Sequence, residues 1–189
     1  MREMPYSVSK EFNLKSLCGG LCTPLFNIKI MNYKNIKKFF HISNLIEGVN
    51  DIKEEEKNVK SFDVFKNTDF SYEDLMFNFH ANMGHLNDYC GAGELRDYDV
   101  CVGGKICLAC RKIEKTLDTL LKQKPKTLEQ IKNWHIDFEK IHPFGDGNGR
   151  VGRFLMLIQL QQNKLSIPEL FLDEENFEEN RQEYYKWFK

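Results

Sequence analysis

Between two apolar stretches, residues 141–153 read IHPFGDGNGRVGR, a run that holds one histidine, one aspartate, one asparagine, two arginines and four glycines. A helix that ends at Pro143 and another that starts near Asn148 or Gly149 would leave a glycine-rich turn with unpaired N–H groups at the positive end of a helix dipole, where an anion is well accommodated. Gly145, Gly147 and Gly149 allow the backbone to approach that anion closely. Arg150 and Arg153 stand three apart, on one side of the first helical turn, and suit phosphate oxygens as bidentate donors. Asp146 supplies the single carboxylate with which Mg²⁺ beside phosphates is commonly satisfied. His142 titrates near neutrality and suits a general base. Together these residues point to nucleotidyl or phosphoryl transfer. A tight turn alone would need the glycines and Asp146 but neither the two arginines nor the histidine. The sequence contains no GxxxxGK[ST] run, which excludes a Walker A loop.

The elements that must hold this loop read as helices. A Thr127–Gln130 capping box and the helical spacing of Ile131, Trp134, Phe138 and Ile141 predict one helix up to Pro143. Val151, Phe154 to Ile158 and Leu160 leave little polar face and predict a buried central helix. Lys34 to Gly48 reads as a short amphipathic helix stopped by Gly48. Ser71–Asp74 reads as a capping box for a helix that runs to about Cys90-Gly91. Residues 51–60, DIKEEEKNVK, read as a charged, solvated connection. Glu94 to Gly104 reads as a short extended segment or hairpin, Ile106 to Leu121 as a helix, and Glu174 onward as a last amphipathic helix. The class is all-α with a small β element.

The chain has 189 residues, 41% of them hydrophobic, enough for one sizeable core. Its net charge of -1 shows no bias toward nucleic acid or membrane surfaces. No apolar run has the length of a membrane span, so a soluble, cytoplasmic protein is expected. Six cysteines include a CxxxC pair, Cys18 and Cys22, and a CxxC pair, Cys107 and Cys110. Buried, reduced thiols are expected, with a four-cysteine zinc site as the second reading.

His142 to Arg153 fills every specified position of HPFx[DE]GNGRxxR and so resembles the signature of Fic-domain proteins. WHIDFEKI before it resembles the helix that precedes the loop in that family, and Gly93-Glu94-Leu95-Arg96 through Gly104 resembles its target-positioning flap. The resemblance implies a Fic fold, a helical bundle with a small β-hairpin flap, with an N-terminal segment over 1–35 and a Fic domain over 36–189. It implies transfer of AMP from ATP, with Mg²⁺, to a Ser, Thr or Tyr hydroxyl of a target protein. His142 would be the base and Asp146 would hold Mg²⁺. Gly147, Asn148 and Gly149 would bind the α-phosphate region, Arg150 and Arg153 the β- and γ-phosphates, and Tyr184 and Tyr185 would neighbour adenine. Phe144 would anchor the loop in the core. Gly149 stands where Doc-type kinases carry Lys, which favours AMP transfer.

Ser43-Asn44-Leu45-Ile46-Glu47-Gly48 resembles the inhibitory motif of the same family, [ST]xxxE[GN]. It implies that the 36–48 helix holds the enzyme inactive through Glu47 and Arg153, and in some relatives this Glu also supports AMP removal. The resemblance admits self-modification and a homodimer. A relative that uses another phosphate-containing donor, or a non-catalytic nucleotide-binding module, remains open at this point.

Overall fold

The computed structural model describes residues 31–66, 71–86 and 91–189. Among them are α1 (Tyr33–Ile46), α2 (Ile52–Phe65), α3 (Tyr72–Ala81), a hairpin of β1 (Cys101–Val102) and β2 (Lys105–Ile106), α4 (Ile113–Leu121), α5 (Leu128–Ile141), α6 (Asn148–Gln162) and α7 (Phe177–Lys186). Short 3₁₀ turns precede α4 and α7. This is the expected mostly helical class with one small antiparallel sheet. The expectations for the 1–30 segment, with Cys18 and Cys22, and for Cys90 lie outside the described residues.

The central position falls to α6. Val151 and every residue from Phe154 to Leu160 are buried, Gln159 included, and α1, α2, α3 and α5 all pack against this helix. Phe154 stacks on Phe79 of α3 with ring centroids 3.9 Å apart, and Phe65 of α2 meets its edge. Aromatic stacking of this kind adds to the area buried. On α5, Trp134 stacks on Phe138 and donates from Nε1 to Leu120 O of α4 at 3.0 Å.

Local signals are realised where they are complete. Both capping boxes, Ser71 with Asp74 and Thr127 with Gln130, form with bonds in both directions. Gly48 takes φ 73°, and Val49 N closes back on Asn44 O, which ends α1.

Three segments differ from expectation. Residues 51–60 are not a solvated connection: Asp51 caps α2, and Glu54, Glu55 and Asn58 turn inward. Those polar groups are matched at long range, Glu54 accepting from Gly84 N at 2.7 Å and Asn58 donating to Asn44 Oδ1 at 3.2 Å. α3 stops at Ala81, well before Cys90, because Asn82 turns its amide back onto Asn78 O. Residues 106–109 are not helical, and Cys110–Lys112 form only a 3₁₀ turn. Cys107 N bonds to Val100 O, Leu108 N to Lys140 O and Cys110 N to Asp99 Oδ1, and these contacts hold the strand against the hairpin and the end of α5. The hairpin turns on Gly103-Gly104, both with positive φ as a type I′ turn requires. Cys101 is exposed, contrary to the expectation of buried thiols, and Cys107 and Cys110 are partly buried; all three are free.

Because Phe154 joins α2 and α3 to α6, Phe154→Ala is expected to lower the unfolding free energy by about 3–5 kcal/mol in urea titration.

Candidate active site

The loop between α5 and α6 is built mainly by side chains that bind backbone. His142 caps α5 in the left-handed region, at φ 51°, an uncommon conformation for a residue with a side chain. Arg96 holds it there. The Arg96 guanidinium donates to the carbonyls of His142 (2.7 Å), Ile141 (3.2 Å), Leu108 (2.6 Å) and Tyr98, while its own N–H donates to Pro143 O. A cation on the last carbonyls of a helix is favoured by the dipole. Arg96 is thus buried and turned inward, away from any target that would lie along the flap. Of the other flap residues, Glu94 is exposed, Leu95 is half-buried, and Gly93 donates its N–H to His80 Nδ1 at 2.8 Å.

That bond assigns the tautomer of His80. With Nδ1 as acceptor, Nε2 carries the proton and donates to Asp146 O at 3.1 Å. The ring also stacks on buried Phe144 at 3.8 Å. Asn148 folds its amide over the same residue, accepting from Phe144 N at 2.8 Å and donating to Phe144 O at 2.9 Å. The side chain of Asn148 is therefore committed to the loop itself.

Gly147 starts α6 at φ 75°, and its N–H reaches Asp146 Oδ1 at 2.6 Å. A Cβ at Gly147 would stand 3.0 Å from Leu86 and 3.2 Å from the Met83 sulfur. No side chain caps α6, so its first turn offers N–H groups to an anion. The anion that stands there is Glu47: a Cβ on Gly149 would run into Glu47 Oε1. Arg153 donates from Nη2 to the same Oε1 at 2.6 Å. Its remaining donors reach Ser43 Oγ (2.9 Å), Ser43 O (3.0 Å) and the Tyr184 hydroxyl (3.1 Å). Only 1% of the Arg153 side chain is accessible. Burial works against its charge, but Tyr184 and Glu47 outweigh burial and leave the guanidinium more basic than usual. Arg150 is buried too and holds Gly84 O and His85 O. Tyr184 is buried, whereas Tyr185 is exposed on α7.

Sequence reasoning did not single out the polar line behind the loop. Gly152 lets α6 approach α5 so closely that a Cβ there would stand 2.8 Å from both Glu139 Oε1 and His135 Nδ1. His135 Nε2 pairs with the Tyr184 hydroxyl at 2.9 Å, and Glu139 Oε2 lies 3.9 Å from His142 Nδ1. Burial pushes the Glu139 carboxyl up to about 7, with Arg153 opposing and Glu47 reinforcing. Burial, helped by Arg153, pushes His135 down to about 3. Burial and Arg96 also lower His142. The spacing of His135, Glu139 and His142 along one helix face was a usable signal; nothing in the sequence points to His80, whose partners are distant.

The arrangement defines a helical domain with a glycine-rich, anion-accepting loop beside a half-buried histidine. Residues 69–160 match the model of the Fic/DOC family. Among solved structures, a Fic family protein from Desulfovibrio desulfuricans G20 is similar in fold, with a TM-score of 0.59 and 19% sequence identity. The match covers 82% of this chain and 56% of that one, so this chain spans little more than half the length of that protein.

Opposite pH effects on stability follow from the buried pair. Unfolded His135 takes a proton below its ordinary value of 6.5 that the native ring refuses down to about 3, so stability falls as pH drops through that window. Native Glu139 keeps a proton that the unfolded chain releases above 4.5, so stability falls as pH rises from 4.5 to about 7. Glu139→Gln removes only the second effect. Its unfolding free energy is expected to gain on wild type as pH rises through 4.5–7, with a slope of up to about 1.4 kcal/mol per pH unit in urea titrations.

Proposed function

We propose that the chain is a self-inhibited protein adenylyltransferase that moves AMP from ATP to a hydroxyl side chain of a protein and releases pyrophosphate. The observation that carries the reading is the Glu47 carboxylate, which stands at the first turn of α6 and pairs with Arg153 where a nucleotide phosphate would sit. A seat made for an anion and filled from within the chain supports both a phosphate substrate and its exclusion. The match to the Fic/DOC family over 69–160 supports the type of reaction.

In this reading the target hydroxyl oxygen attacks the α-phosphorus, the bond from that phosphorus to the bridging oxygen breaks, and pyrophosphate leaves. His142 takes the hydroxyl proton on Nε2, since Nδ1 is the buried ring nitrogen. The N–H groups of Asn148 and Gly149 would face the α-phosphate oxygens, that of Gly147 being held by Asp146 Oδ1, and Arg153, once Glu47 departs, receives the far phosphates. Arg150 keeps its carbonyl contacts and adds positive potential. Asn148 acts by keeping the loop closed.

Among the described residues no group of three or more His, Cys, Asp or Glu could hold a metal unaided. One carboxylate, Asp146, fits a Mg²⁺ that draws its other oxygens from phosphate and water. Bound there, the ion would neutralise phosphate charge. The exposed edge of β1 and β2 suits main-chain pairing with an extended target segment.

The test is incubation of the full chain with Mg²⁺ and α-labelled ATP, comparing wild type, Glu47→Gly and Glu47→Gly/His142→Ala. Label is expected on protein with Glu47→Gly, and its transfer rate should fall by roughly 10²- to 10⁴-fold in the double variant. Loss of a charged hydrogen bond worth about 1.5–3 kcal/mol should also tighten ATP binding to Glu47→Gly by about 10- to 150-fold in calorimetry. Binding of ATP without label on any variant would overturn transfer of AMP, and undiminished label without His142 would overturn its role as base.

A further inference from the structure

The Nδ1 of His142 is buried and makes no well-formed hydrogen bond among the described residues, although the main-chain carbonyl of Glu139 lies near it. The side-chain acceptor next to it is Glu139 Oε2, 3.9 Å away, one turn back on α5. Glu139 is itself largely buried, and its Oε1 is likewise without a partner. A buried imidazole nitrogen and a largely buried carboxyl group, 3.9 Å apart, come within hydrogen-bond reach by a small rotation of either side chain.

The second oxygen of Glu139 has its own counterpart. The Tyr184 hydroxyl accepts from Arg153 and pairs with His135 Nε2 at 2.9 Å. The Nδ1 of His135 and the Oε1 of Glu139, both buried, border the same space beside Gly152. His135, Glu139 and His142, at spacings of four and three, place one carboxylate between two imidazoles on a single helix face.

We propose that Glu139 is a positioning residue for His142: its carboxylate accepts a hydrogen bond from Nδ1–H, fixes the ring so that Nε2 faces the reacting hydroxyl, and stabilises the imidazolium formed when Nε2 accepts the hydroxyl proton. The catalytic part rests on the adenylyltransferase reading; the pairing itself does not. No atom beyond one proton moves in this step, from the hydroxyl oxygen to Nε2, and Glu139 stays a hydrogen-bond acceptor.

The groups that face this pair are Arg153 from α6, Glu47 from α1, Tyr184 from α7, His135 on α5 itself, Arg96 and Cys107 on either side of the hairpin, and Asp146 in the loop. Burial is what chiefly holds the proton on Glu139; Arg153 opposes it and Glu47 adds to it.

The experiment is ¹⁵N and ¹³C NMR of the full chain, titrating the His142 imidazole and the Glu139 carboxyl in wild type and in Glu139→Gln. In wild type, His142 is expected as the Nδ1–H tautomer, with both groups titrating in two shared steps. In Glu139→Gln the His142 midpoint should fall by about one pH unit, a tenfold loss of proton affinity. Independent one-step titrations in wild type would overturn the pairing even if the variant failed to fold, as would an unmoved His142 midpoint in a folded Glu139→Gln. Transfer kinetics then compare Glu47→Gly with Glu47→Gly/Glu139→Gln. The expected result is a fall in kcat of roughly 10²- to 10⁴-fold, with KM for ATP unchanged and a shifted acid limb of the pH profile. An unchanged kcat and profile would overturn the catalytic role. Absence of transfer by Glu47→Gly itself would sink the adenylyltransferase reading, while the NMR result would still decide the pairing.

Discussion

A guanidinium with 1% of its surface accessible cannot be left uncompensated, and the architecture around the loop follows from the need to satisfy Arg153. Its donors reach three separate groups: the serine and glutamate of α1 and the tyrosine of α7. Helices far apart in sequence are thereby fixed against the start of α6. The same cation biases the protons behind it, helping to keep His135 neutral and opposing the burial that holds the proton on Glu139. The helices around the loop and the proton states of His135 and Glu139 thus respond to one charge.

Around that charge, polar side chains close on backbone. Arg96 gathers the carbonyls at the end of α5, Asn148 binds both the N–H and the carbonyl of Phe144, and His80 ties the carbonyl of Asp146 to the N–H of Gly93. The result is a loop whose shape is set before any ligand arrives, so its N–H groups need little reorganisation to meet an anion. Arg150 likewise holds the 84–85 segment, whose Gly84 N–H is in turn held by Glu54 of α2.

What could be read from the sequence was what depends on neighbours a few residues apart. The capping boxes at Ser71 and Thr127, the stop at Gly48 and the apolar run of α6 are of this kind, as is the glycine-rich turn with its charged residues. The failures share the opposite property. The charged run of α2 looked solvated because the groups that receive Glu54 and Asn58 lie in Gly84 and α1. Arg96 read as part of the flap because two of the carbonyls that draw it inward lie more than forty residues on, at Ile141 and His142. Asn148 looked like a ligand for phosphate, since nothing in its immediate spacing reveals that its amide bends back to Phe144.

The contacts of α1 with Arg153 come from a single turn, Ser43 to Glu47. One residue inserted between them would rotate the glutamate by about 100° around the helix and carry it off the face that the serine shares. Residues ahead of Ser43 are under no such phase constraint toward Arg153. The lock is therefore a short cassette: natural variation can alter what precedes it, graft it or delete it whole, but cannot stretch it by a single step.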